Sequence, residues 1–85
     1  MSLAKLRKDI ENTNFQILNI LAKRSRLSKR LGRYKKKNKI KITNKTQEKE
    51  VFRKIRAKSR KLKLNPKFTK DLFRLITKES KRLQK

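Results

Sequence analysis

Hydrophobic residues recur every three or four positions along the first part of the chain, which is the spacing of one face of an α-helix. The residues that share this face are Leu3, Leu6, Ile10, Ile17, Ile20, Leu27, Leu31 and Tyr34. Thr13 and Arg24 interrupt the stripe, but the period continues and predicts a helix over about residues 3–37. Such a helix extends ~50 Å, too far for two short helices of the same chain to cover it. We therefore expect a second long helix against its apolar face.

The second helix is predicted over about residues 45–61. Lys and Ile alternate before it, through residues 37–43, and this indicates an irregular connection. Asn44 followed three residues later by Gln47 is an amide version of a capping box, which marks a helix start. The apolar positions of this helix are Val51, Phe52, Ile55 and Leu62.

The third helix is predicted over about residues 66–84. Asn65 followed by Pro66, the only proline, is a strong signal for an N-cap and a first helical position. The apolar positions of this helix are Phe68, Leu72, Leu75, Ile76 and Leu83. With one long and two shorter helices and few helix-breaking residues, the fold class is predicted to be all-α.

Gly32 is the only glycine of the chain and falls inside the predicted first helix. Glycine in a helix interior costs about 1 kcal/mol relative to alanine. A close approach of another backbone at this point would compensate for that cost. Fraying near the helix end is the alternative explanation.

The composition favours a small protein that gains stability by association. Eighty-five residues, of which 33% are hydrophobic, form a single domain over residues 1–85 with a thin core, so oligomerisation is expected. The chain has no cysteine and no histidine, which removes disulfides and a structural zinc site as other sources of stability. It also has no apolar run of the ~20 residues that a membrane span needs, and no signal-peptide pattern. We expect a soluble, cytoplasmic protein.

The charge is the most unusual feature of the composition. Thirty Lys and Arg residues against six acids give a net charge of +24, which attracts polyanions of any kind. The cations are spread along the whole chain and are densest over residues 33–41. Aromatic stacking patterns, zinc motifs and Gly-rich loops are missing from the sequence. Solvated helix faces explain the charge better than a nucleic-acid surface, although nucleic-acid binding stays open.

A candidate anion site lies near the end of the first predicted helix. Arg24, Ser28, Leu31 and Lys35 recur at helical spacing, so two cations share a face with a hydroxyl. Arg7 is the possible third cation, but on a straight helix it lies ~25 Å from Arg24 and roughly 100° around the axis. One small ligand cannot contact both arginines within one chain. If Arg7 belongs to this site, a second copy of the protein must supply it.

The ordered set of residues resembles the all-helical (AroQ-type) chorismate mutases over essentially the whole chain. The matching segments are Leu6-Arg7-x-x-Ile10, Ile17-Leu18-x-x-Leu21-Ala22-x-Arg24, Gly32-x-x-Lys35, Glu48 and Leu72-Phe73-x-x-Ile76-x-x-Glu79-Ser80-x-x-x-Gln84. The resemblance implies an intertwined homodimer in which each site borrows Arg7 from the partner. It also implies an isomerase that converts chorismate to prephenate, at the branch of the shikimate pathway toward phenylalanine and tyrosine, without metal or organic cofactor.

The resemblance assigns a role to each candidate residue. Arg24 and the partner's Arg7 would bind the substrate carboxylates. Lys35 and Gln84 would be the catalytic donors to the ether oxygen. Glu48 would accept a hydrogen bond from the ring hydroxyl.

Ser80 would hold a carboxylate or a water in the same site. Structural explanations compete with these roles: an acid favours the first turn of any helix, as at Glu48, and a serine such as Ser80 suits helix packing. Gln84 lies one residue from the end of the sequence, where fraying and solvent exposure are the ordinary expectation.

Two positions depart from the family pattern. Asn44 and Gln47 stand where an aspartate and an arginine are common in the family. Loss of that arginine removes a charge-assisted contact to a substrate carboxylate, which weakens binding by roughly 1.5 to 3 kcal/mol. Lys45, Lys49 or Arg53 could compensate, without the bidentate fork of an arginine. Alternatively, the pair serves as a helix cap.

Three functions therefore remain open from the sequence. A stand-alone chorismate mutase is favoured. An isochorismate pyruvate-lyase would share the fold and a similar site for a dianion. A non-catalytic basic helical dimer that binds nucleic acid is the alternative from a different class.

Overall fold

The computed structural model describes residues 2–85, which form α1 (Leu3–Lys37), α2 (Lys45–Lys61) and α3 (Pro66–Gln84). These residues contain no strand, so the predicted all-α class with one long and two shorter helices is confirmed. The homodimer stays a prediction. No helix within residues 2–85 combines the length and the hydrophobicity that crossing a membrane requires.

The two predicted asparagine caps begin α2 and α3. The side-chain oxygen of Asn44 accepts a hydrogen bond from the backbone N–H of Gln47 at 3.0 Å. The side-chain oxygen of Asn65 accepts one from the N–H of Lys67 at 3.0 Å, and Pro66 takes the first helical position. Each cap satisfies a donor that a helix N-terminus otherwise leaves free, and this fixes where the helix begins.

The first two helices end in the same backbone arrangement. Lys39 and Lys63 follow α1 and α2 with φ values of 56° and 57°, in the left-handed region. The N–H of the next residue, Ile40, donates a hydrogen bond to the carbonyl oxygen of Lys35 at 2.8 Å. At the end of α2, the N–H of Leu64 donates the equivalent bond to the carbonyl oxygen of Ser59. This is the Schellman motif, here with lysine where glycine is usual. At the end of α1, it turns the chain back alongside the last turn of the helix.

The fully buried residues of the three helices are small or polar. α3 packs against both α1 and α2. The buried positions of the three helices are Ser28, Gly32, Ser59, Thr69, Ser80 and Gln84. The predicted close approach at Gly32 is confirmed, since a Cβ there would lie 2.5 Å from the Cα and the carbonyl oxygen of Gln84.

The apolar face of α1 has no cover within the chain. No hydrophobic side chain among residues 2–85 is buried, and Leu3, Ile10 and Ile20 are 63%, 62% and 65% exposed. α1 also dominates the shape of the molecule, whose longest dimension is 55 Å. A single chain therefore gains little from hydrophobic burial, as the sequence pattern predicts.

Candidate active site

A cavity of about 110 Å³ opens where the C-terminal halves of α1 and α3 meet the N-terminal half of α2. Seven of the eight candidate site residues line it; they are Arg24, Lys35, Asn44, Gln47, Glu48, Ser80 and Gln84. The other lining residues are Ile42, Val51, Phe52, Thr77 and Lys81. Residues far apart in sequence thus converge on one small concave space. Their functional roles remain predictions.

Arg7, the eighth candidate, is not among the residues that line the cavity. It lies on the exposed N-terminal half of α1. Because α1 is unbroken from Leu3 to Lys37, the distance from Arg7 to Arg24 is the ~25 Å of a continuous helix. Within one chain, Arg7 therefore cannot contact a ligand held by Arg24.

Lys35 links α1 by a hydrogen bond to the segment between α1 and α2. Its ammonium group donates a hydrogen bond to the carbonyl oxygen of Ile42 at 2.8 Å. This contact fixes the end of a long, flexible side chain beside the cavity. An ammonium group has three donors, so two remain for other acceptors.

Arg24 lines the cavity from α1 and is half-buried. Among residues 2–85, no ion pair involves Arg24. Its guanidinium group can therefore donate two parallel N–H hydrogen bonds to the carboxylate of a ligand. Arg24 also lines a second, mostly apolar pocket of about 170 Å³, which is formed by residues of α1 and α3.

Glu48 differs from the other five acidic residues of the chain. It pairs with Lys81 of α3 at 2.5 Å, and its side chain is 29% exposed. The other acids pair within their own helices; these pairs are Asp9 with Lys5, Glu11 with Lys8, Glu50 with Arg53, Asp71 with Lys67 and Arg74, and Glu79 with Arg82. Glu48 thus makes the one carboxylate ion pair between helices within residues 2–85, at the edge of the cavity.

The resolved pKa shifts belong to the exposed pairs. Hydrogen bonds from Arg53, Lys67 and Arg82 lower the pKa values of Glu50, Asp71 and Glu79, respectively. These carboxylates sit on solvated helix faces, where such pairs contribute little to stability. They are surface features, away from the cavity.

Ser80 and Gln84 form a buried polar cluster with Ser28. The hydroxyl oxygens of Ser28 and Ser80 are 2.8 Å apart, and the Gln84 amide nitrogen lies 3.2 Å from the Ser80 oxygen. The side-chain carbonyl oxygen of Gln84 is buried without a hydrogen-bond partner. An unpaired buried acceptor costs about 1 to 3 kcal/mol, so the orientation of this amide requires an explanation.

The expectation that Gln84 frays and is exposed is wrong. Gln84 is 9% exposed, because its backbone lies against Gly32. Ser28 also differs from its expected position on a ligand-binding face. It is 5% exposed and lies beneath Ser80 instead of lining the cavity.

Asn44 and Gln47 line the cavity and also form the N-cap of α2. The cap hydrogen bond uses the side-chain oxygen of Asn44, so its amide group remains as a donor. The Gln47 side chain takes no part in this bond, so its carbonyl oxygen and its NH₂ group remain available for other hydrogen bonds. The structural role of the pair is therefore compatible with a role in binding.

Lys81 is the cation at the cavity that the sequence does not single out. Lys45 and Lys49 line a different groove, and Arg53 bonds to Glu50. Lys81 is one of thirty cations, and only its pairing with Glu48 distinguishes it. The folded structure was needed to find it.

A larger, open groove of about 790 Å³ lies between α2 and α3. Glu48 and Phe52 line both the groove and the cavity. The cations along the groove are Lys45, Lys49, Arg56, Lys67, Lys70 and Arg74. Of the eight candidate site residues, only Glu48 lines this groove, so its size does not make it the candidate active site.

The comparison with protein families agrees with the all-α fold. The family model for chorismate mutase type II matches residues 6–85. The chain therefore belongs to the chorismate mutase type II family. No curated protein and no solved structure gives a significant match to the chain.

Proposed function

We propose that the protein is a chorismate mutase that converts chorismate to prephenate by an intramolecular rearrangement. The observation that carries this proposal is the convergence of seven candidate residues on one cavity in a chain of this family. Two of the lining residues are cations from α1, Arg24 and Lys35, and they suit a substrate with two carboxylates. The reaction has no covalent intermediate, so the protein must act by positioning and electrostatics.

Binding of the substrate depends on the arginines. A guanidinium group forms two parallel hydrogen bonds to a carboxylate, and Arg24 is free to do so. The partner's Arg7 would bind the second carboxylate. Holding both carboxylates folds the enolpyruvyl side chain over the ring and lowers the entropic part of the barrier.

Catalysis depends on donors to the ether oxygen. Negative charge builds on this oxygen as its bond to the ring lengthens. Lys35 and an N–H of Gln84 would donate to it, and they would stabilise the transition state more than the ground state. Lys35 is already fixed by its bond to Ile42, so little reorganisation accompanies the reaction.

Glu48 and Ser80 would complete the site. Glu48 keeps acceptor capacity beyond its pair with Lys81, because a carboxylate has about four lone-pair positions. It would accept the ring hydroxyl's hydrogen bond without removing the proton. Ser80 would hold a substrate carboxylate or a site water. Lys81 would add positive charge where the family arginine is replaced by Gln47.

Two observations support a homodimer. The apolar stripe of α1 is uncovered in one chain, and a second α1 has the length to cover it. The cavity of about 110 Å³ is also smaller than the ~300 to 1,000 Å³ typical of ligand sites. A partner helix carrying Arg7 would add a wall and deepen the site.

The purified protein is expected to consume chorismate and to form prephenate as the only product. Loss of chorismate absorbance measures the rate, and product analysis identifies prephenate. The same assay with isochorismate tests the lyase, which would release pyruvate. Pyruvate from isochorismate without prephenate from chorismate would overturn the proposal in favour of the lyase.

Nucleic-acid binding is the remaining alternative, and the basic groove between α2 and α3 is the feature that favours it. It predicts tight, salt-sensitive binding to DNA or RNA and no turnover of either substrate. Titration of labelled RNA at two salt concentrations tests it alongside the activity assay. Binding without turnover would put this function first.

Two inactive variants are expected to restore activity when they form a mixed dimer. Arg7→Ala and Lys35→Ala damage different sites if each site takes Lys35 from one chain and Arg7 from the other. Random mixing then leaves about a quarter of the wild-type turnover per chain, because half of the dimers carry one intact site. Refolding the two variants together and measuring turnover checks this.

The matched control mixes Lys35→Ala with Gln84→Ala. Both residues belong to the site of one chain, so no intact site forms and the mixture stays inactive. Recovery in the control, or its absence in the test mixture, would contradict a shared site.

A further inference from the structure

Ser28 is a buried hydroxyl that the proposed mechanism does not use. Its oxygen lies 2.8 Å from that of Ser80, which in turn lies 3.2 Å from the amide nitrogen of Gln84. The three side chains therefore form a chain of two hydrogen bonds, which leads from the contact between α1 and α3 to the cavity. The last polar atom of this chain, the side-chain carbonyl oxygen of Gln84, has no hydrogen-bond partner.

The direction of the hydrogen bond between the two serines follows from where their protons can go. A buried hydroxyl carries one proton and needs an acceptor for it. Ser59 gives its proton to the carbonyl of Ile55, one turn earlier, or to Thr69. Among residues 2–85, the only partner of the Ser28 hydroxyl is Ser80. Within these residues, the Ser28 proton has an acceptor only if Ser28 is the donor to Ser80.

This direction leaves the proton of Ser80 for Gln84. Ser28 and Gln84 are the two partners of the Ser80 hydroxyl, and Ser28 already acts as a donor. The Ser80 proton is satisfied only if Gln84 presents its carbonyl oxygen. With the amide nitrogen facing Ser80, the Ser80 proton and the Gln84 oxygen both lack partners.

Rotation of the Gln84 carboxamide by 180° pairs the Ser80 proton with the Gln84 oxygen. The nitrogen and oxygen exchange places with almost no change in shape. The oxygen then accepts from Ser80, and the NH₂ group takes the position of the unpaired oxygen. That position is buried and offers no acceptor within residues 2–85, so the two N–H donors of Gln84 stay unpaired until a ligand in the cavity that Gln84 lines supplies an acceptor.

We propose that Ser28 is a positioning residue that sets the orientation of the Gln84 amide through Ser80. Ser28 donates to Ser80, Ser80 donates to the carbonyl oxygen of Gln84, and the NH₂ group is held for the substrate. This inference rests on the proposed function, in which the ether oxygen of the substrate can only accept. An amide carbonyl at that position would repel the developing negative charge.

Gly32 and Ser28 have separate tasks in this arrangement. Gly32 lets the backbone of Gln84 approach α1 closely. This contact fixes the position of the Gln84 Cα, from which the side chain extends. Ser28, one helical turn earlier, fixes which end of the amide faces the cavity. The orientation is thus set in the ground state, before the substrate binds.

The test compares Ser28→Ala with Ser59→Ala in the full-length protein. Both serines are buried, at 5% and 4% exposure, and both bond to a hydroxyl of α3. Loss of the Ser28 donor is expected to lower kcat by about two- to tenfold, the size of one neutral hydrogen bond. KM should change by less than about twofold, since the interaction acts in the transition state. Ser59→Ala should leave kcat unchanged.

Two further measurements distinguish an effect of Ser28 on the orientation of the Gln84 amide from a general effect on the structure. In a Gln84→Ala background, Ser28→Ala should cause no further loss of kcat, because the two residues act in series. An equal loss in both backgrounds, or an unchanged kcat in the single variant, would overturn the proposal.

Neutron diffraction of the wild-type protein tests the orientation without any activity. Deuterium on Ser28 directed at Ser80, and the carbonyl oxygen of Gln84 facing Ser80, is the expected result. An ND₂ group facing Ser80 would overturn the proposal. If the wild type shows no turnover, the proposed function fails, and the neutron result still decides the orientation.

Discussion

Replacement of Lys35 by alanine is expected to lower the kcat for chorismate by about 10²- to 10³-fold, the usual loss when a donor to a developing oxyanion is removed. Lys35 lines the cavity and keeps two donors beyond its bond to Ile42. Alanine removes the charge and the donors together. Steady-state kinetics on the purified variant measures the effect.

The matched controls are Lys36→Ala and Lys37→Ala. Both residues are exposed cations in the last turn of α1, and neither lines the cavity. They remove the same charge from the same helix end, so their kcat should stay within about twofold of wild type, as for surface changes away from a site. A similar loss in all three variants would show that net charge, and not the Lys35 donor, matters. Size-exclusion chromatography should show the association state of Lys35→Ala unchanged.

Replacement of Gly32 by alanine is expected to reduce both stability and turnover. A Cβ at this position would lie 2.5 Å from backbone atoms of Gln84, and backbone cannot rotate away as a side chain can. Such overpacking costs about 1 to 3 kcal/mol. The displaced Gln84 also loses its place at the cavity, so kcat should fall by about 10²-fold. Urea unfolding and steady-state kinetics measure the two effects.

The sign of the stability change identifies its cause. Helix propensity alone predicts that Gly32→Ala stabilises the chain by about 1 kcal/mol, the opposite of the expected result. Deletion of residues 84–85 removes the backbone that the Cβ would meet. In that shortened chain, Gly32→Ala should be stabilising. Destabilisation in both chains would exclude the contact with Gln84 as the cause.

The helices were predictable because their determinants are local. Asn44 and Asn65 act as caps through bonds that span two or three residues, and Pro66 fixes the first turn of α3. The apolar period of α1 is likewise a property of one segment. The Schellman turns were less visible, since Lys39 and Lys63 occupy positions where glycine is the usual sign.

Most of the residues that line the cavity could be selected from the sequence only through the family pattern. Helical spacing groups Arg24 with Lys35, but among thirty cations this spacing is a weak signal, and no local rule singles out Glu48. Lys81 was not assigned to the site, and Ser28 was expected on its ligand-binding face, because the positions of both depend on contacts between helices. Ser28 meets Ser80 and Lys81 meets Glu48 only after α3 has packed against its neighbours.

Under the proposed dimer, the uncovered stripe of α1 would make the proposed activity depend on protein concentration. No hydrophobic side chain within residues 2–85 of one chain is buried, so under the proposed dimer most of the hydrophobic stabilisation comes from association. By mass action, dilution then lowers the folded fraction and the number of complete sites together. Under the proposed dimer and the proposed activity, turnover per chain would therefore rise with concentration until all chains are paired.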